Sequence, residues 1–348
     1  MDTVEYQRKD EIQERKTDMQ IRLLGADEKT KTRALYETVF DEDSKGFVDY
    51  YYTEKTKDNQ IYVIEEDGGI RAMLHLNPYR VSVNGSARAV NYIVAVATQS
   101  EYRSRGYMAD LLRRALTDMK RAGQSFTFLM PAAEAIYTPH DFRTVYEYER
   151  EYCKEEELTS AEVEPVTDEM CKELAGAANE FLSSKYQIYA VRDEMYYQRL
   201  KKELESDHAK LMVYRKEGCI ADCRPWVPGE LSEKHKIMIR IVDVKRMLMA
   251  VQLKSLTAVC FTVTDPIIEE NNCCVVLTGT EFSGLMLMDS RPENSEGTIT
   301  IRALASFLFG AKTVDEICEE EGVKMTDRMK GELKKMIPMD RIYLQEIV

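Results

Sequence analysis

Long hydrophobic runs are missing from this 348-residue chain. The longest, around 93–97 and 273–277, fall far short of the ~18 residues that a membrane-spanning helix needs. The apolar core of a signal peptide is missing too, because the first twenty residues (MDTVEYQRKDEIQERKTDMQ) are charged throughout. Positive charge is in deficit: 48 Lys and Arg stand against 61 Asp and Glu, a net charge of −13. That balance argues against nucleic acid as the main partner, since a phosphate backbone calls for a basic footprint. It argues equally against an anionic membrane surface and suits a cationic small substrate. None of the eight cysteines forms a CxxC pair, so they read as reduced thiols of a cytoplasmic protein. Cys219-x3-Cys223 has no histidine or further cysteine at ligand spacing, and no metal is expected. What is present is ample core material: 44% apolar and 31% charged residues, enough for two or three domains of the usual ~100–200 residues.

The chain divides into an arm and three segments. Residues 1–18 have almost no apolar face, only Met1, Val4, Tyr6 and Ile12, and read as a charged arm. Residues 19–155 form the first domain. There MQIRLL alternates like a short strand, and from Asp27 an amphipathic helix follows. QIYVIEEDGGIRAMLHLNPYRVSV then reads as a hairpin about Asp67-Gly68-Gly69. RAVNYIVAVAT is a strand buried on both faces, MADLLRRALTDMKRAG is a helix capped at Gly123, and SFTFLMP is a further strand. This order predicts an α/β (α+β) fold, a mixed sheet flanked by helices. Residues 160–235 are an abbreviated, helix-rich central segment with a hairpin at Glu217-Gly218, too short for a second copy of the first domain. Residues 236–348 open with the strand KIMIRIVDV and add SLTAVCFTVTDP, NNCCVVLTG and FSGLMLMDS. The join GTITIRALASFLFG and caps at Thr313 (with Glu316) and Thr326 complete a sheet with helices on one side.

Chemistry concentrates after the buried strand, in Arg103-Ser104-Arg105-Gly106-Tyr107-Met108-Ala109. Two arginines and a glycine lead into a helix there, whose first amides and macrodipole favour an anion. An ordinary strand–helix turn with solvated arginines has the same pattern, and the loop alone does not separate the two.

Here the chain resembles the GNAT N-acetyltransferases, whose pyrophosphate loop reads Gln/Arg-x-x-Gly-x-Gly/Ala; residues 103–108 fit except that Met108 replaces the small residue. Arg-x-Arg-Gly followed by two bulky residues looks like the enhanced intracellular survival (Eis) branch. Pro131-Ala132-Ala133-Glu134-Ala135-Ile136-Tyr137, then Phe142, is similar to that branch's segment after the fifth strand. Residues 236–348 look like its sterol-carrier-like C-terminal domain. The resemblance implies transfer of acetyl from acetyl-CoA directly to a primary amine of a cationic substrate: an aminoglycoside, a polyamine or a lysine side chain. It implies that Val96, Ala97 and Thr98 pair with the pantetheine arm and that Arg103 to Ala109 hold the pyrophosphate, with Ala132 also at the cofactor. Tyr137 is then the general acid and the α-carboxylate of Val348 the general base. It also implies a homo-oligomer, with a hexamer as the leading candidate. The chemistry agrees in kind: a phenol of pKa ~10 is protonated at neutral pH, and a terminal carboxylate of pKa ~3.3–3.7 is always ionised but a feeble base.

Other residues carry open readings. Asp41, Glu42 and Asp43 line an acidic amine pocket or merely solvate a helix end. His140 is a base or an exposed loop residue. The methionines of the third segment, Met238, Met247, Met249, Met286 and Met288, wall an apolar cavity or fill a core. If a cavity, the alternative function is non-catalytic binding of an apolar ligand or lipid by the C-terminal domain.

Overall fold

The computed structural model describes residues 19–229 and 234–346; the expected arm at 1–18 and Val348 lie outside the described residues. The chain forms two compact units. One comprises residues up to Asn77 with Ile93–Ala115, the other Pro78–Tyr92 with the residues from Leu116 onward. The fold is mixed α/β, as the element order predicts. Among the described residues no helix is long and apolar enough to cross a membrane.

In the first unit β1 (Gln20–Leu23) pairs antiparallel with β2 (Gln60–Glu66), which pairs antiparallel with the first half of β3 (Gly69–Val83). Their turn is the expected Asp67-Gly68, with φ of 51° and 69°, the positive values that a two-residue hairpin turn requires. Four successive residues of β2, Ile61 to Ile64, are buried, so both strand faces are covered. A helix that the sequence reading passed over, Lys45–Thr53, contributes buried Tyr50, Tyr51 and Tyr52. Its start is fixed by the Ser44 hydroxyl, which accepts from the Phe47 amide at 3.0 Å. The Tyr51 hydroxyl meets Nδ1 of fully buried His75 at 2.9 Å. Burial holds that imidazole neutral, pushing it down to about 3. Strands β3 and β4 (Ser86–Thr98) run through both units. So does the helix Tyr107–Arg121, ended as expected by Gly123 at φ 75°.

In the second unit β4 meets β5 (Phe126–Leu129) through the parallel pair Tyr92↔Phe128, whose rings stack 4.8 Å apart. The neighbour of β5 beyond is β11 (Lys234–Ile241), antiparallel both to β5 and to β6 (Arg143–Glu149). The sequence reading opens the C-terminal segment with this strand; the structure uses it to complete the sheet that begins in the N-terminal half. Its residues explain the place, for Ile237 to Ile241 are all buried, Arg240 included. Arg240 bonds Asp265 at 2.6 Å, with neither side chain exposed. The central segment forms a small sheet of β7 (Val163–Pro165), β9 (Lys210–Lys216) and β10 (Cys219–Trp226) with helices Cys171–Lys185 and Glu194–Ser206. Strand β8 (Ile188–Ala190) instead pairs with β3 at Val81–Val83 and with β19 (Ile342–Tyr343) near the chain end.

The last part is a five-stranded sheet in the order β15 (Gly284–Asp289), β14 (Cys273–Thr280), β13 (Thr257–Thr264), β16 (Gly297–Thr300), β17 (Lys324–Met325). A two-residue bridge joins β12 (Gln252–Leu253) to β18 (Met336–Ile337). The helix Ile301–Leu308 is buried except at Arg302 and packs on β6, β11 and β16. The Thr313–Glu316 capping box and the Thr326 cap form as expected.

Candidate active site

The arginine loop lies in the first unit. Ahead of it β4 carries a non-glycine residue at positive φ, Ala95 at 48°, which breaks regular strand alternation. Val96 and Thr98 are half-buried and Ala97 is buried. Arg103, Ser104, Arg105 and Gly106 are all exposed. Ser104 and Gly106 sit at φ 63° and 89°, so the chain reverses twice before the helix begins at Tyr107. The first helical bond is from the Asp110 amide to the Gly106 carbonyl at 3.1 Å, and the amides of the first turn have no acceptor within the helix. A Cβ at Gly106 would meet nothing within 4 Å. Glycine is required there by backbone angle and not by crowding, and the space over the loop is open.

Side chains brace the loop from below. The Arg103 Nε donates to the Thr98 carbonyl at 3.3 Å and Arg105 Nη2 to the Glu101 carbonyl at 3.0 Å. Tyr107 is buried and its hydroxyl donates to the Glu66 carboxylate, from which Arg105 stands 3.9 Å. Burial first, then Glu66, raises the Tyr107 phenol above its ordinary range. Met108 and Ala109 are half-buried in the first helical turn. Asp41 and Glu42 lie exposed in a turn, as does Asp43, which accepts from the Tyr36 hydroxyl at 2.7 Å.

Tyr137 and Ala132 belong to the second unit. Tyr137 ends the short helix Glu134–Tyr137, buried with its ring edge-on to Phe142 at 5.9 Å. Burial pushes its phenol up to about 12, so it stays protonated through neutral pH. Ala132 and Ala133 are exposed, and Glu134 is held by Thr144 and by Lys236 at 2.7 Å. His140 follows in a 3-10 turn, half-buried.

The chain end is pinned at several points in the same unit. Gln187 donates its amide to the Arg341 carbonyl at 2.8 Å, Arg150 Nη2 reaches the Gln345 carbonyl at 2.8 Å, and Gln345 Nε2 meets the Tyr146 hydroxyl at 3.1 Å. Glu346 is 2% exposed; one oxygen accepts from the Tyr196 hydroxyl at 2.7 Å, and the other has no partner among the described residues. Beside this tail is a cavity of about 730 Å³ walled by Phe181, Tyr186, Arg192, Tyr196, Tyr197 and Tyr343. Arg192 lies 5.1–5.7 Å from the centroids of Tyr196, Tyr197 and Tyr343. The sequence reading missed Glu346, Tyr196 and this cavity, as well as Glu66, Arg71 and Tyr102 around the loop. The one available signal was the alternation of Ile342-Tyr343-Leu344-Gln345-Glu346, which marks the tail as a buried strand end.

Residues 20–145 match the sequence profile of an acetyltransferase (GNAT) domain. The chain therefore carries a GNAT acetyltransferase domain, the enzyme type expected from the loop. Its fold is similar to that of GCN5-related N-acetyltransferases from Kribbella flavida and Anabaena variabilis. The first aligns with a TM-score of 0.73 at 13% identity over 93% of this chain and 99% of that one, the second with 0.72 at 14% over 93% and 98%. It is also similar to Eis1 from Mycobacterium abscessus, with a TM-score of 0.67 at 11% identity over 93% of this chain and 98% of that one. At such identities the likeness is one of fold. Among curated proteins no sequence matches.

Proposed function

We propose that the protein is an acetyl-CoA-dependent N-acetyltransferase of the Eis type, acting on a primary amine of a cationic substrate such as an aminoglycoside, a polyamine or a lysine side chain. The observation that carries this reading is the loop: Gly106 at φ 89° starts a 15-residue helix directly after two exposed arginines. The donors suit a diphosphate. First-turn amides, Ser104 and the exposed Arg103 and Arg105 surround Gly106 in sequence, and no atom lies within 4 Å of where a Cβ at Gly106 would be. When bound, acetyl-CoA supplies acetyl as an activated thioester. The amides of Val96, Ala97 and Thr98 hold its pantetheine arm, and Arg103 to Ala109 hold its diphosphate. Tyr137 keeps a proton ready for the departing sulfur. At about 12 it is a weak acid, so it serves as a hydrogen-bond donor to sulfur as charge develops. The α-carboxylate of Val348 receives the amine proton through water, and the pinned tail up to Glu346 supports that role. The net charge of −13 draws a cationic acceptor. In this reading residues 236–348 are a sterol-carrier-like domain and the protein is a homo-oligomer.

Calorimetric titration with coenzyme A, together with release of free thiol over a panel of amines, tests the proposal. Saturable binding that weakens as salt rises, and turnover with cationic amines, are expected. No heat at millimolar coenzyme A would overturn it.

A further inference from the structure

Arg71 lies outside the loop motif, at the start of β3, and its guanidinium is held by neutral acceptors. Nε donates to the Glu66 carbonyl at 2.9 Å, Nη1 to the Gln99 side-chain oxygen at 3.1 Å, and Nη2 to the Asp67 carbonyl at 3.4 Å. Among the described residues no carboxylate stands within ion-pair distance of Arg71. Its guanidinium lies 4.7 Å from the centroid of the Tyr102 ring, and that of Arg105 lies 4.5 Å from the same centroid. One half-buried tyrosine thus gathers a cation from the strand and a cation from the loop. The nearby acids are occupied. Glu66 accepts from Tyr107, and Asp67 accepts from the Tyr102 hydroxyl at 3.4 Å. The Glu101 carboxyl is held low by its own amide and the Ser100 hydroxyl, with Arg103 and Arg71 adding to the effect.

An arginine tied down by three neutral bonds and an aromatic face keeps its charge and its remaining Nη hydrogens for something else. With Arg103 and Arg105 it makes three guanidiniums around one turn, of which Arg105 stands 3.9 Å from Glu66 while Arg71 has no such ion pair among the described residues. Coenzyme A carries, apart from its diphosphate, a phosphate monoester on the ribose 3′ oxygen. We propose that Arg71, with Arg105 at the same Tyr102 ring, binds this 3′-phosphate and makes the enzyme select coenzyme A thioesters over their 3′-dephospho forms. The inference rests on the acetyl-CoA reading and adds a specificity-determining residue to it.

The test is calorimetric affinity of the full chain for coenzyme A and for 3′-dephospho-coenzyme A, in the native protein and in Arg71→Gln and Arg71→Lys. The native protein should prefer coenzyme A by roughly 10- to 100-fold, the scale of one or two charge-assisted bonds. That preference should shrink with salt. Arg71→Gln should bring the ratio close to one, and Arg71→Lys should leave it between the two. Equal affinity in the native protein, or an undiminished ratio in a folded Arg71→Gln, overturns the assignment while leaving the acetyl-CoA reading intact. Should Arg71→Gln fail to fold, Arg71→Lys decides the matter, and an undiminished ratio there overturns the assignment. Binding of neither compound overturns the acetyl-CoA reading, and this inference with it.

Discussion

Two arginine centres in this molecule have opposite fates. Arg240 is fully buried: its guanidinium meets Asp265 at 2.6 Å, the His140 carbonyl at 3.2 Å and the Ile241 carbonyl at 2.6 Å. Asp265 in turn accepts from the Asn271 side chain at 2.8 Å and the Ile267 amide at 2.8 Å. Both charges of that pair are buried and matched by each other. Around the loop, exposed Arg103 donates to the Thr98 carbonyl, and the hydrogen bonds of the Arg71 guanidinium go to the Glu66 and Asp67 carbonyls and the Gln99 side chain. The same side chain is a structural pin where its charge is neutralised and, in the function proposed above, a recognition group where it is not.

Breaking each centre should therefore give different symptoms. Asp265→Ala leaves Arg240 buried and unpaired and should cost about 3–5 kcal/mol in denaturant unfolding, with much of it recovered when Arg240→Met is added. Arg240 and the surrounding hydrogen bonds outweigh burial and keep the Asp265 carboxyl below its ordinary range. The pair's contribution is thus present above the unfolded carboxylate pKa of ~3.9 and disappears as pH falls through the lower folded value. Tyr137→Phe should lower kcat by roughly 100-fold with little change in KM. Because burial puts its phenol at about 12, the alkaline side of the native kcat profile should show no loss near pH ~10, where an ordinary tyrosine ionises. Arg103→Ala should raise KM for acetyl-CoA about 10-fold and flatten its salt dependence, while unfolding free energy stays within ~0.5 kcal/mol. Gly106→Ala, forced to φ 89°, should cost about 1–2 kcal/mol of stability. If Arg103→Ala destabilised the protein as much as Asp265→Ala, the contrast between the two centres would collapse.

Local features were legible in the sequence. The Asp67-Gly68 turn, the Gly106 loop, the Gly123 cap and the Thr313–Glu316 box are each encoded within a few neighbouring residues, and all appear where expected. What pairs with what was not legible. The run Ile237 to Ile241 reads as a buried strand, but a buried strand carries no label for its partner, and β11 enters between β5 and β6. The helix at 45–53 was hidden because three consecutive tyrosines blur its apolar stripe. At the site, the loop arginines belong to a contiguous motif. Arg71 and Tyr102 come together only through the β2–β3 hairpin and the chain returning from β4, and buried Glu346 meets Tyr196 across 150 residues of sequence.

The intrusion of β11 also governs how the polypeptide can be made and cut. On the ribosome β5 and β6 emerge well before their common neighbour, so both must wait with open edges until residues 234–241 are synthesised. A gene fragment ending near Glu149 would preserve the catalytic-domain signature while exporting two unsatisfied strand edges. Such a fragment should aggregate unless a peptide corresponding to 234–241 is supplied in trans to close the gap.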